Sequence, residues 1–265
     1  MALAMAARSD LRIVSDPEEL ARAGAGEFVR AAADAVRRRG LFSVALAGGS
    51  TPRGLYQALA GEGARGLFRG MVAWDKAHVF WGDERPVPPG HPDSNYRMAR
   101  EALLSRVPIP EGNVHRIKGE EPEARRAAEE YEADLRAHFR AGPGAWPRFD
   151  LVLLGLGKDG HTASLFPGSE ALRETGRLAV APWIDSLRSH RITLTIPVLN
   201  HAARVLFLVS GAEKAEIVRV VLEDEPGPDP YPAQLIRPRT GALIFIVDRP
   251  AAGRIAQGPR RPSRQ

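Results

Sequence analysis

Short apolar runs alternate along the chain with longer stretches in which apolar residues recur at helical spacing. Six runs have the length of a strand, and most end in glycine or aspartate: LFSVALAG (41–48), AHVFWGD (77–83), DLVLLGLG (150–157), RITLTI (191–196), RVLFLVSG (204–211) and ALIFIVD (242–248). Because helical segments lie between several of these runs, the pattern predicts an α/β fold with a mainly parallel sheet and helices on both faces. Ligands of such sheets bind beyond the carboxyl ends of the strands.

The first helix has clear ends in the sequence. Asp16 suits the N-cap, Pro17 suits the first helical position, and Gly40 follows three arginines of the kind that favour a helix C-terminus. A later segment, EEPEARRAAEEYEADLRAHFR (120–140), mixes acidic and basic residues at i,i+4 spacing. We expect that segment to be a solvated helix.

Composition narrows the class of protein. With 265 residues, 44% of them hydrophobic and 26% charged, the chain is expected to form one domain over residues 1–253. The absence of cysteine excludes disulfides, thiol nucleophiles and cysteine-based metal sites. No apolar run reaches the length of a membrane span and the first residues lack a secretory signal, so we expect a cytoplasmic protein with no membrane partner.

The net charge of +5 is concentrated at the C-terminus. The last twelve residues, 254–265, contain four arginines and no acid, so the preceding residues carry a net charge of only +1. Proline and glycine interrupt this segment and no aromatic residue accompanies the arginines, which favours a disordered tail over a nucleic-acid-binding arm. We therefore expect no nucleic-acid partner.

A first candidate site follows the run that ends at Gly48. Gly49 comes next, Ser50 and Thr51 stand where an N-cap belongs, and Pro52 lies just inside the following helix. Two glycines, two hydroxyls and a helix N-terminus together suit a phosphate. An ordinary strand-to-helix turn with a conventional cap fits the same residues. The spacing matches neither a Walker A loop nor the dinucleotide-binding fingerprint, so nucleotides are not favoured.

The second candidate site is the sequence DER at the end of another run. Asp83 and Glu84 could hold Arg85 rigidly while its guanidinium faces a ligand oxygen, or the three charges could form a solvated turn. The proline-rich loop that follows leads to DSNY (93–96), which resembles the cap of the next helix and contains Asn95.

The third candidate site is GLGKDGHTASLFPGS (155–169), directly after a fully apolar run. His161 at a glycine-rich strand end has ring nitrogens available to a ligand, and imidazole titrates near neutral pH. Asp159 could accept one ring N–H and fix the tautomer, although a histidine that only braces the turn is the alternative. The segment from His161 to Pro167 is too short for more than one helical turn.

Two cationic residues near the ends of apolar runs are further candidates for the site. Arg191 opens RITLTI and Lys214 lies in SGAEKA (210–215), and each could instead be a surface charge. No second histidine lies four residues from His161, so we predict no metal site. His91 is interpreted as a loop residue, and the other histidines are interpreted as structural or solvated, without a partner pattern: His78, His115, His138, His190 and His201.

Five blocks resemble 6-phosphogluconolactonases in wording and order: LAGGSTPRGLY (46–56), FWGDERPVPPGHPDSNY (80–96), LLGLGKDGHTASLFPGS (153–169), RITLTIPVLNHA (191–202) and SGAEKA (210–215). The resemblance extends over roughly residues 11 to 252. The chain departs from the family pattern at two places. It lacks the prolines that often precede Arg191, and it has Phe245 where tryptophan is common. The resemblance implies a Rossmann-like α/β/α sandwich shared with glucosamine-6-phosphate deaminases.

The resemblance also implies an activity, hydrolysis of 6-phospho-D-glucono-1,5-lactone in the pentose phosphate pathway, without a cofactor. The implied catalytic residues are His161 as general base, Asp159 beside it, and Arg85 as an orienting or charge-stabilising group, to which we add Asp83. The implied phosphate and substrate-binding residues are Gly49, Ser50, Thr51, Arg191 and Lys214, to which we add Gly48 and Asn95. We expect a monomer or weak dimer.

Two alternatives stay open at this point. A glucosamine-6-phosphate deaminase would share the sheet and the phosphate site, but such enzymes typically carry D-E-Y where this chain has DER. A sugar-phosphate sensor of a transcription regulator would need a DNA-binding module, which we do not see before residue 10, and would have no need of an intact D-G-H.

Overall fold

Six parallel strands form the main sheet of the computed structural model, which describes residues 9–61 and 66–256. They are β1 (Asp10–Val14), β2 (Phe42–Leu46), β3 (Ala77–Trp81), β5 (Leu151–Leu154), β10 (Arg204–Val209) and β11 (Ala242–Asp248). Their order across the sheet is β1-β11-β10-β5-β2-β3, and every neighbouring pair is parallel. The predicted mainly parallel sheet is therefore confirmed, with β1 as a strand that the apolar runs did not predict.

Helices flank this sheet: α1 (Pro17–Arg39), α2 (Ser50–Leu59), α3 (Asn95–Ala102), α4 (Ala124–Phe139), α5 (Ile196–His201) and α6 (Ala215–Glu223). Every residue of β2 and β5 is buried. Because successive side chains of a strand point to opposite faces of the sheet, both faces are covered at these strands. The α/β class predicted from the sequence is confirmed.

The ends of α1 are those predicted. The side chain of Asp16 accepts a hydrogen bond from the backbone N–H of Glu19, and Pro17 is the first helical residue. Gly40 ends the helix at φ 76°, a left-handed conformation that glycine adopts without steric cost.

A small antiparallel sheet contains the run RITLTI, which we expected in the main sheet. Its order is β4 (Asp83–Glu84), β9 (Ile192–Leu194) and β6 (Ala179–Val180). The strands β7 (Trp183–Ile184) and β8 (Ser189–His190) form a separate hairpin just before β9. This correction has a consequence for the site, because the small sheet pairs the DER segment with the segment that follows Arg191.

The strand order identifies where a ligand would bind. From β2 the chain proceeds to β3 on one side, whereas from β5 it proceeds to β10 on the other side. The neighbouring strands β2 and β5 therefore form a topological switch point, and the crevice beyond their carboxyl ends is the usual ligand site of such folds. The first and third candidate sites follow these two strands.

The C-terminal residues that the structure describes contact α6. Arg254 donates to the carboxylate of Glu216 at 2.7 Å, and the backbone N–H of Ala256 donates to Glu223 at 2.7 Å. Residues 257–265 of the predicted tail lie outside the described residues, so the division at residue 253 stays a prediction. No helix within the described ranges is both long and apolar enough to span a membrane.

Candidate active site

A cavity of about 280 Å³ opens at the carboxyl end of the main sheet. Four segments line it, and each follows a different strand: residues 47–52 after β2, 82–85 after β3, 155–163 after β5 and 210–214 after β10. The fold thus brings to one place the three candidate sites and Lys214. Two of the eleven predicted site residues, Asp159 and Arg191, are not part of the lining.

The segment after β2 presents an uncapped helix N-terminus to the cavity. Gly49, at φ 99°, is the N-cap of α2, and no side chain accepts a hydrogen bond from the first turn. The prediction that Ser50 or Thr51 is the cap is wrong, because both lie inside the first helical turn. Their backbone N–H groups and hydroxyls are therefore placed to bind an anion, which the helix dipole also favours.

The loop before α2 interlocks with the start of α3. A Cβ on Gly48 would lie 1.9 Å from Oδ1 of Asn95, so only glycine fits here. Asn95 is buried, and its Nδ2 donates to the backbone carbonyl of Asp83 at 2.9 Å and to the carboxylate Oδ1 at 3.4 Å. Asn95 thereby fixes the glycine loop relative to the DER segment.

The carboxylates of the DER segment have partners other than Arg85. Asp83 is buried at the cavity wall and accepts from the hydroxyl of Ser164 at 2.6 Å. Glu84 accepts from the backbone N–H of Asn95 at 2.7 Å and of Tyr96 at 2.8 Å, which caps α3. Burial raises the pKa of Glu84. The expectation that both carboxylates hold Arg85 is only partly met, because Glu84 accepts from the backbone N–H of Arg85 whereas the guanidinium donates to Asp93.

Arg85 is held instead by the chain beyond the proline-rich loop. Its Nη1 donates to the backbone carbonyl of Asp93, and its own N–H donates to Glu84 at 2.8 Å. The residue lines the cavity, so its guanidinium supplies positive charge there. Because the partner of Nη1 is a neutral carbonyl, this hydrogen bond orients the guanidinium without neutralising its charge.

His161 lines the cavity with one edge of its ring engaged. Nδ1 lies 2.5 Å from Oδ1 of Asp159, and the ring stacks on Phe166 with centroids 4.3 Å apart. A Cβ on Gly157 would lie 2.1 Å from Nδ1, so the glycine lets the backbone pass directly against the ring. The segment forms a turn with Ala163 at φ 48°, within the limit of one helical turn that its length set.

Asp159 determines which ring nitrogen of His161 is free. An ionised carboxylate only accepts hydrogen bonds, so Nδ1 must carry the proton of the neutral imidazole. Nε2 then has the lone pair. The arrangement fits a general base whose orientation is fixed by the carboxylate and the stacked ring.

Lys214 reaches the cavity from the turn after β10. The carboxylate of buried Asp248 accepts from the hydroxyl of Ser210 at 2.5 Å and from the N–H of Gly211 at 3.1 Å, which fixes this turn. Burial lowers the pKa of Lys214. Glu213, which also lines the cavity, counteracts that shift.

Arg191 lies on the Arg85 side of the site. Its Nη1 donates to the carbonyl of His190 at 2.8 Å. Burial lowers its pKa, the charge of Arg85 acts in the same direction, and Asp83 opposes both. The two predicted phosphate cations therefore have different surroundings, with Lys214 influenced by Asp159 and Arg191 by Arg85.

Comparison with known proteins identifies the family of this chain. The model of the glucosamine-6-phosphate isomerase/6-phosphogluconolactonase family matches residues 15–245. The chain belongs to this family. Among curated members, a 6-phosphogluconolactonase of Synechocystis is 45% identical over 217 residues, covering 82% of this chain and 86% of that protein. The 6-phosphogluconolactonase of Rattus norvegicus is 38% identical over 245 residues, covering 91% and 92%.

Solved structures of the family have the same fold. The 6-phosphogluconolactonase from Trypanosoma brucei superposes with a TM-score of 0.81 at 34% identity, covering 94% of this chain and 99% of that one. The resemblance read from five sequence blocks is therefore confirmed, as is the predicted fold.

Three residues at the candidate active site were not predicted from the sequence. Ser164 holds Asp83, Phe166 stacks on His161, and Glu213 lines the cavity. All three lie within quoted blocks, HTASLFPGS and SGAEKA. Each of the three lies close in sequence to a residue that we predicted for the site, and this proximity is the signal that could have found them. The contact of Ser164 with Asp83 could not be predicted in this way, because it depends on the tertiary fold.

Proposed function

We propose that this chain hydrolyses 6-phospho-D-glucono-1,5-lactone to 6-phospho-D-gluconate, in the oxidative branch of the pentose phosphate pathway, with His161 as general base. The observation that carries the proposal is the shared cavity. One wall holds an imidazole oriented by Asp159, and another holds an uncapped helix N-terminus with Ser50 and Thr51. Ester hydrolysis requires a base, and a phosphosugar requires an anion site.

The base acts on water. Nε2 of His161 takes a proton from the water that attacks C1 of the lactone, because Nδ1 is engaged with Asp159. The carbonyl oxygen becomes an oxyanion, the ring C–O bond breaks, and the imidazolium returns its proton to the departing ring oxygen. A positioned acid–base group of this kind typically contributes about 10²–10⁴-fold in rate.

Positive charge stabilises the oxyanion. Arg85 lines the same cavity, and its side chain is fixed by the carbonyl of Asp93 before substrate arrives. A donor that is already oriented costs no reorganisation during the reaction. Asp83, fixed by Ser164, is a carboxylate that can accept hydrogen bonds from substrate hydroxyls.

The phosphate is proposed to bind at the N-terminus of α2. The N–H groups and hydroxyls of Ser50 and Thr51 would receive its oxygens, with Lys214, and with Arg191 from the Arg85 side, as cationic partners. Because the phosphate lies at the far end of the sugar, its binding energy can hold the ester against His161. These side chains supply the whole reaction, so the proposal includes no cofactor.

The experiment separates the two ends of the site. The lactone is generated in situ, and hydrolysis is followed after subtraction of its spontaneous opening. His161→Ala is expected to lose most of kcat with little change in KM, whereas Lys214→Ala is expected mainly to raise KM. Lys76→Ala, an exposed lysine before β3, is the matched control. Full turnover by His161→Ala would refute the role of the histidine.

The same preparations test the alternatives. Release of ammonia from glucosamine 6-phosphate would favour a deaminase, and operator binding modulated by a sugar phosphate would favour a sensor. We further propose a cytoplasmic monomer or weak dimer without a nucleic-acid partner, supported by the near-neutral charge before residue 254. Sedimentation at several concentrations, with and without DNA, tests this part.

A further inference from the structure

Three histidines from separate elements meet near the amino end of β3, away from the candidate active site. His78 is the second residue of β3, and His138 lies in the last turn of α4. His115 follows Val114, which pairs with Val79 of the same strand. One nitrogen from each ring lies within 4.8 Å of the other two. Our expectation that these rings lack a partner pattern is wrong.

The spacing of the first pair is that of ligands on one ion. Nδ1 of His78 lies 3.2 Å from Nε2 of His115. Two nitrogens bound to a tetrahedral zinc ion at about 2.0–2.1 Å are roughly 3.3 Å apart. These atoms therefore need almost no movement, and a nitrogen of His138 lies within 4.8 Å of both.

Polar groups orient the rings from outside. The carboxylate of Asp134 lies 3.0 Å from Nδ1 of His115, which places the proton on Nδ1 and leaves the lone pair of Nε2 facing His78. The hydroxyl of Ser43 lies 2.8 Å from Nε2 of His138. A carboxylate behind the distal nitrogen of a histidine is the usual support of a metal-binding imidazole.

Aromatic side chains pack against the histidine rings. Phe80 stacks on His115 with centroids 4.2 Å apart, and Phe139 lies edge-on to His138 with centroids 4.8 Å apart. The nearby cation, Arg39, is paired with the carboxylate of Asp150. The carboxylate of Asp134, in contact with His115, places a negative charge beside the cluster.

We propose that His78, His115 and His138 bind a divalent transition-metal ion, with Asp134 as the carboxylate that orients His115. Three imidazoles suit zinc and its neighbours in the first transition row rather than magnesium or calcium. The ion would link β3 to α4 at the end of the sheet remote from His161. Its role is structural, so the proposal does not depend on the lactonase reaction.

The first test is metal binding by the full chain without a polyhistidine tag. Wild-type protein is titrated with Zn²⁺ by calorimetry and with Co²⁺ by visible absorption, which reports nitrogen ligation. We expect one ion bound per chain and a higher midpoint of thermal unfolding in its presence. Failure of the wild-type protein to bind either ion would overturn the proposal without any variant.

Variants then locate the ion. His138→Gln and His115→Gln should each weaken binding at least about tenfold, whereas His201→Gln, which removes an imidazole elsewhere, should not. Asp134→Asn retains all three ligands and should also weaken binding, so it serves if a histidine variant does not fold. Binding that survives His138→Gln but is lost in His161→Ala would assign the ion to the other cavity and overturn the proposal.

Discussion

Replacing Asp159 by asparagine isolates the orientation of the proposed base. The two side chains are nearly isosteric, so the contact with Nδ1 of His161, now 2.5 Å, is geometrically preserved. An amide, however, can donate as well as accept a hydrogen bond. Asparagine therefore permits the tautomer with its proton on Nε2, which cannot accept a proton from water, and it removes the negative charge that stabilises the imidazolium.

The size of the effect follows from the exposure of the pair. A hydrogen bond to a charged group contributes about 1.5–3 kcal/mol. The side chains of Asp159 and His161 are 49% and 32% exposed, so solvent screening reduces this to about 1–2 kcal/mol. Since about 1.36 kcal/mol corresponds to tenfold in rate, kcat should fall roughly 5–30-fold. KM should change little, because the proposed phosphate contacts are on α2, Lys214 and Arg191.

The assay is steady-state lactone hydrolysis at pH 7, corrected for spontaneous opening, with thermal unfolding as a check of folding. Asp75→Asn, an exposed carboxylate before β3, is the control and should retain wild-type kinetics. An unchanged kcat in Asp159→Asn would show that the carboxylate neither orients nor charges the base. A raised KM with normal kcat would place Asp159 in substrate binding instead.

Two further perturbations test the other parts of the site. Gly48→Ala should lower the free energy of unfolding by about 1–3 kcal/mol, because its Cβ would displace Asn95 and break a buried hydrogen bond. Gly112→Ala is the control and should not lower it, because no atom lies within 4 Å of the added Cβ. Equal free energies of unfolding for the two variants by denaturant titration would contradict the contact between Gly48 and Asn95. Burial lowers the pKa of Lys214, so its charge is lost at a lower pH than that of an ordinary lysine. Binding of 6-phospho-D-gluconate should therefore weaken as pH rises toward the alkaline range, and less so in Lys214→Arg; calorimetry that gives the same pH profile for both proteins would exclude this role.

Local signals predicted the fold well where a single segment determines its own structure. The cap of α1 by Asp16 and its end at Gly40 depend on neighbours in sequence, and the fully apolar composition of β5 indicated that the strand is buried. The run at 191–196 was apolar like the others, but apolarity does not specify which sheet a strand joins. It pairs with the DER segment because the chain returns there after the hairpin of β7 and β8.

The site was predictable to the extent that its residues follow strand ends. Parallel strands deliver Ser50, Arg85, His161 and Lys214 to one edge, which the alternation of runs already implied. The three clustered histidines could not be found in this way, because they come from a strand, a loop and a helix far apart in sequence. Only the packing of α4 beside β3 brings them together.

The most direct test of the central claim is a crystal structure with 6-phospho-D-gluconate. The account predicts the phosphate at the N–H groups of Ser50 and Thr51, and the C1 carboxylate within about 3 Å of Nε2 of His161. A product bound with its phosphate at the histidine, or bound outside the cavity altogether, would contradict it.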